Sequence, residues 1–97
     1  MRSVHLSDLH NAAMLLSSVP HGLREDVFVQ WLWRADIADR YRKRLRKAHP
    51  QFGIGTLTSA LPARLPSAAD GPTDDDYLRA MRVVVTGLLH RAGHISA

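Results

Sequence analysis

The stretch 23-LREDVFVQWLWRADIADRYRKRLRK-47 decides how this chain folds. Apolar residues recur along it at spacings of three and four: Leu23, Val27, Trp31, Ala35 (or Arg34), Ala38, Tyr41 (or Arg42) and Leu45. That is the stripe of an amphipathic helix. Phe28, Val29, Leu32 and Trp33 lie outside the stripe. At about 100° per residue, Val29 and Trp33 point well away from Val27 and Trp31, so the apolar arc covers more than half the circumference. A helix apolar nearly all round is buried nearly all round. Its character then changes, because six of the eight residues from Arg40 to Lys47 are cations: Arg40, Arg42, Lys43, Arg44, Arg46 and Lys47. One end requires apolar cover and the other accepts a polyanion.

On the N-terminal side, Ser7 and Asp8 read as an N-cap and first-turn acid, and Leu9, Ala12, Ala13, Leu16 and Val19 follow at helical spacing. This predicts a first helix over about 8–18, stopped by Pro20, with a tight turn into an antiparallel neighbour. The central helix starts at His21 or Leu23 and ends at Lys47 or Ala48, because Pro50 lacks an amide donor and restricts His49. In the loop HPQFGIG, Gly53 and Gly55 permit the turns while Phe52 and Ile54 are expected to anchor it in the core. Thr56 caps a short helix that ends at Ala60 or Leu61. The Pro/Ala-rich segment 62–72 reads as a linker or surface loop. Thr73, followed by Asp74, Asp75 and Asp76, is a strong helix start, since the carboxylates meet the positive end of the dipole. The last helix carries Tyr77, Leu78, Met81, Val84, Val85, Leu88 and Leu89 to about Arg91 or Ala92, with Gly93 as its cap. The fold class is all-α: one domain over 1–97, a small antiparallel bundle or hairpin on one long helix, with three main helices plus a short one.

A chain of 97 residues leaves much of its surface exposed even when folded. Two arrangements serve the surplus apolar arc. Another subunit covers part of Phe28, Val29, Trp31, Leu32 and Trp33, or the first and last helices flank the central one on both sides. Self-association is the expectation, since small domains commonly associate and Trp is enriched at interfaces.

Composition excludes several classes. There is no cysteine, hence no disulfide framework or thiolate metal site. No run approaches the ~18 apolar residues of a membrane span, the N-terminus lacks a signal-peptide core, and the cations and apolar residues of the central helix separate along its axis, which is the wrong geometry for lying on a membrane. A cytoplasmic protein without membrane contact is expected. His5 and His10 are five apart, and His90 and His94 straddle the predicted helix stop, so no metal-ligand spacing appears. Asp74 to Asp76 are explained by capping. The Gly-x-Gly at 53–55 has neither a preceding strand nor a following lysine, and no nucleophile, base and orienting acid fall at a useful spacing. No enzyme activity, cofactor or metal is expected. The block Arg40 to Lys47 is the strongest candidate, for sequence-independent phosphate contacts. The competing reading is a solvated helix end whose cations complement the dipole, with Asp36 and Asp39 offering i,i+4 partners to Arg40 and Lys43.

Ala35, Asp36, Ala38, Asp39, Ala48, His49, Pro50, Phe52, Gly53, Gly55, Thr56 and Leu57 together make an Ala-Asp-x-Ala-Asp helix, then Ala-His-Pro, an aromatic, Gly-x-Gly, Thr and Leu. This pattern resembles a segment of short alphaproteobacterial proteins at the start of gene transfer agent clusters, beside the DNA-packaging ATPase, and Asp74 to Tyr77 is a weaker echo. The resemblance covers about a third of the chain. It implies a small-terminase-like protein: a homo-oligomer that handles DNA and contacts the large terminase ATPase. Phage small terminases generally carry an N-terminal helix-turn-helix domain. No room for one precedes the central helix, so weak, indiscriminate DNA binding is expected. The alternative function is a helical protein-interaction module with no nucleic-acid role, whose basic helix pairs with an acidic partner.

Overall fold

The computed structural model describes residues 1–62 and 73–96, with side chains as far as residue 91. Helices α1 (Leu6–Leu16), α2 (Arg24–Leu45), α3 (Leu57–Ala60) and α4 (Asp74–Ser96) form the fold, with a 3-10 turn at His21–Leu23 leading into α2. No strand occurs among the described residues, and the chain is an all-α bundle built on its long second helix. The linker expected over 62–72 lies, apart from Pro62, outside the described residues.

Helix α1 begins two residues earlier than expected, and its N-cap is His5 rather than Ser7. Asp8 explains the shift. It stands at the third helical position, where its carboxylate accepts the His5 amide at 2.9 Å. Asp8 also accepts from the Thr58 amide at 3.0 Å and from the Thr58 hydroxyl, which ties α1 to α3. Burial raises the Asp8 carboxyl, but the Thr58 and His5 hydrogen bonds outweigh it and hold the pKa below its ordinary value. Although α1 and α2 are consecutive, α1 makes its most extensive contact with α4 and only a slight one with α2.

The inner face of α2 is Arg24, Phe28, Trp31, Leu32, Ala35, Ala38 and Asp39, all buried. This face is rotated from the predicted stripe, and Leu23 and Leu45 are about half exposed, at 53% and 50%. Two charged residues disguised it. Arg24 donates from Nε to the Val19 carbonyl at 2.8 Å and from Nη2 to the Ser17 carbonyl at 3.0 Å, both just past the end of α1. Those carbonyls lie where a helix leaves acceptors unpaired and its dipole favours a cation. Asp39 lies at the other end of the face and is equally buried. Between them, Phe28, Trp31 and Leu32 join Ala12, Ala13, Leu15, Leu16, Leu57, Ala80 and Val84 in one core. Phe28 sets its ring edge-on to Trp31 and packs so tightly against α4 that a Cβ at Gly87 would fall 2.8 Å from two of its ring carbons.

After α2 the chain turns sharply. Gly53 and Gly55 have φ of 84° and 95°, the left-handed region that glycine adopts without strain. A Cβ on Gly55 would lie 2.8 Å from the Asp39 Cα, so the loop backbone rests directly on α2. His49 lies between Tyr41 and Phe52, its ring stacked on Phe52 at 4.7 Å, and its Nδ1 accepts the amides of Gln51 and Phe52. Neither anchors the loop in the core as expected: Phe52 is half-buried but packs against His49, with the Arg34 guanidinium over its ring, and Ile54 is 44% exposed. The Thr56 hydroxyl caps α3 through the Ser59 amide at 3.2 Å, and Thr73 caps α4 through the Asp76 amide at 3.1 Å. Helix α4 does not stop at Gly93 but runs on to Ser96. A glycine inside a helix costs about 1 kcal/mol and does not by itself end one.

Candidate nucleic-acid interface

Helix α2 ends at Leu45, short of Lys47, and Arg46 closes it in the left-handed conformation (φ 56°, ψ 35°) with its amide donating to the Arg42 carbonyl at 2.7 Å. Position Arg46 is where glycine is the usual occupant, because a Cβ there is penalised. Arg46 is the one non-glycine residue with positive φ among those described.

The six cations of the block divide into two groups. Arg42 and Lys43 both reach Asp39, at 3.0 and 3.1 Å. Asp39 also lies 3.4 Å from the Met1 ammonium, which in turn lies 2.5 Å from Asp36. Arg91 of α4 pairs with Asp36 as well. Two carboxylates thus serve four cations, and the cluster joins the N-terminal segment, α2 and α4. Burial raises the Asp39 carboxyl, but its hydrogen bonds to Lys43 and Arg42 and the Met1 ammonium outweigh that and bring it down to about 2. Asp36 is lowered in the same way, with Met1 and Arg91 overcoming its burial. Of the expected i,i+4 pairs, Asp39 with Lys43 forms, but Asp36 turns to Met1 and Arg91 instead of Arg40.

Arg40, Arg44, Arg46 and Lys47 make the second group. All are exposed, and none has an ion-pair partner among the described residues. They stand on the last two turns of α2 and the cap beyond it, beside the negative end of the helix dipole. Such an arrangement can meet anionic oxygens as point contacts, and contacts of that kind carry no base information.

The five residues expected at an oligomer interface also divide. Phe28, Trp31 and Leu32 are taken into the chain's own core, so α1, α3 and α4 do part of the work foreseen for another subunit. Val29 and Trp33 remain on the surface, 61% and 62% exposed. On α4, Leu78, Val85 and Leu89 are exposed too, while Ala80 and Val84 are buried, so the apolar residues of this helix divide into an inner and an outer line. A groove of about 310 Å³ runs between α2 and α4, lined by Phe28, Val29, Val83 and Gly87 with Glu25, Arg82 and His90. Among the described residues, no three His, Asp or Glu side chains are placed to hold a metal ion, and no helix is long and apolar enough to cross a membrane.

Sequence reasoning missed Arg24 and Met1 as structural polar groups, the pairing of Arg91 with Asp36, and the bond of Asp8 to Thr58, which its reading as a first-turn acid does not include. Each is partnered by residues distant in the chain or in a different element, which spacing does not report. The segment that carried the resemblance is accounted for by folding: Ala35 and Ala38 are fully buried, Asp36 and Asp39 hold the ion cluster, the glycines turn, Thr56 caps and Leu57 is core.

The fold and its surface define a small helical protein with a basic helix end and exposed apolar residues on α2 and α4. Over residues 2–88 the chain matches the domain of unknown function DUF7742, and it belongs to that family. No curated protein and no solved structure matches it.

Proposed function

We propose that the protein is a non-enzymatic helical adaptor of DNA packaging, of the small-terminase kind that the Ala35–Leu57 segment resembles. It binds duplex DNA weakly and without sequence preference, assembles into an oligomer, and contacts a packaging ATPase. Phosphate contacts fall to Arg40, Arg44, Arg46 and Lys47, while Arg42 and Lys43 are held mainly by Asp39. The observation that carries the reading is Arg46. A left-handed backbone costs an ordinary residue about 1–2 kcal/mol relative to glycine, and the chain keeps a cation there beside three others that no described carboxylate pairs with.

The test is a mobility-shift or anisotropy titration of duplex DNA over a range of salt. Four phosphate contacts give a slope of log affinity against log salt near −3.6, about −0.9 per contact. Absence of binding even at low ionic strength removes DNA from the function. The second reading, an interaction module with no nucleic-acid role, then stands, favoured by the exposure of Val29, Trp33, Leu78, Val85 and Leu89.

A further inference from the structure

The outward face of α2 carries a line whose spacing is symmetric about Trp33. Val29 and Ile37 lie four residues to either side, and Asp26 and Arg40 seven. At about 100° per residue these five positions fall within about 40° of one direction on the helix, so they form one stripe. It reads acid, apolar, Trp, apolar, base. Asp26, Val29, Trp33 and Arg40 are exposed, Ile37 is half-buried, and neither Asp26 nor Arg40 has an ion-pair partner among the described residues.

We infer that this stripe is a two-fold interface in which α2 packs antiparallel against α2 of a second copy, with the axis at Trp33. It rests on the reading that the chain assembles, and names how. A two-fold axis across an antiparallel helix pair brings each residue at +n opposite the partner's residue at −n. Trp33 then meets its own copy, Val29 meets Ile37, and Asp26 meets Arg40. The opposite charges fall together twice, once at each end, and an apolar centre is covered. A parallel pairing in register would set Asp26 against Asp26 and Arg40 against Arg40, which like-charge repulsion opposes. The isologous arrangement closes on itself, so it yields a dimer and no open chain.

In the dimer the pairing draws Arg40 from the four phosphate-facing cations to the second copy and leaves Arg44, Arg46 and Lys47, so the salt slope per chain falls from about −3.6 for a monomer to about −2.7. The pairing also spaces those groups. The two Arg44 residues lie about 33 Å apart along the pair, at about 1.5 Å per residue, close to the ~34 Å turn of duplex DNA.

The chain has no cysteine, which makes cross-linking clean. Trp33→Cys is expected to form a disulfide-linked dimer under mild oxidation, while Leu89→Cys, on the exposed line of α4, gives no disulfide-linked dimer although the chains still associate through α2. In light scattering of the cysteine-free chain, Asp26→Arg or Arg40→Asp alone raises the dimer dissociation constant roughly five- to tenfold, and the two together restore it. Trp33→Ala raises it roughly thirtyfold, as loss of a central aromatic does. Far-UV circular dichroism confirms that each variant stays helical. A chain that is monomeric at high concentration overturns both this interface and the assembly reading. A chain that assembles but cross-links at Leu89→Cys and not Trp33→Cys, or whose double charge reversal restores nothing, overturns this interface and leaves the assembly reading in place. DNA binding reads out separately through Arg44, Arg46 and Lys47.

Discussion

Arg24 and Arg46 stand at the two ends of α2, and the same guanidinium serves opposite purposes in each place. Arg24 is 3% exposed and donates to the carbonyls of Ser17 and Val19, where α1 leaves acceptors unpaired. Arg46 is exposed, sits in a backbone conformation that disfavours it, and meets no described acid. The difference is set by what each helix end faces. At the N-terminal end, another helix terminus arrives within reach and turns a cation into a joint. At the C-terminal end, a tight loop carries the chain away, Asp39 is already shared by Arg42 and Lys43, and the remaining cations stay in solvent. Charge at one end is architecture, and charge at the other is free for a ligand.

The largest effect expected from breaking this contrast is at Arg24. Arg24→Ala removes two charge-assisted hydrogen bonds and leaves the Ser17 and Val19 carbonyls without that donor, at a cost of about 3 kcal/mol of folding stability. Urea denaturation followed by circular dichroism measures it. A loss below about 1 kcal/mol would place Arg24 with the surface cations and dissolve the distinction.

Next comes Asp39, the acid that separates bound from free cations. Its folded pKa of about 2 is below the ~3.9 of an unfolded aspartate, so its contribution is fully present above pH 4 and is lost as pH falls from about 4 to about 2. The depression corresponds to a contribution on the order of 2 kcal/mol at this 4%-exposed group. Stability measured against pH should fall through that window, with Asp8 and Asp36 contributing in the same direction. Asp39→Asn should lower stability at pH 7 and flatten the acid limb without abolishing it.

Much of this architecture was legible in local chemistry. Thr56 and Thr73 announce helix starts because a cap is a contact over three residues, and Gly53 and Gly55 announce turns because the requirement for φ above zero is carried by the residue itself. The inner face of α2 was legible only in part. Hydrophobic spacing favoured Leu23 and Leu45 over Arg24 and Asp39, whose burial depends on acceptors in α1 and on the Met1 ammonium. The cations of the candidate interface stand in plain view in the sequence. Which of them are free was not, since Asp39 takes Arg42 as well as Lys43 while Asp36 leaves Arg40 alone.

Arg46→Gly is expected to act in the opposite direction on folding. Relief of the left-handed strain should raise stability by about 0.5–1 kcal/mol even after loss of a cation at the helix end. DNA affinity should fall at the same time. Arg46→Ala separates the two effects, since it removes the charge but keeps the Cβ: stability should change little and affinity should fall as it does for the glycine variant. A glycine variant that gains stability and loses no affinity would make Arg46 a tolerated cap rather than a retained contact.

The smallest effect on folding is expected from Arg44→Ala with Lys47→Ala, and it is informative because it is small. Both side chains are exposed and make no described ion pair, so stability should stay within about 0.5 kcal/mol of the parent. If they contact phosphate, the salt slope of DNA binding should shrink by about 1.8, near 0.9 for each contact removed. Exposed cations that only complement the helix dipole would show the same small change in folding and leave the slope unchanged, so the slope decides. Folding and binding thus report on different groups of cations within one eight-residue run, and Asp39 marks the division between them.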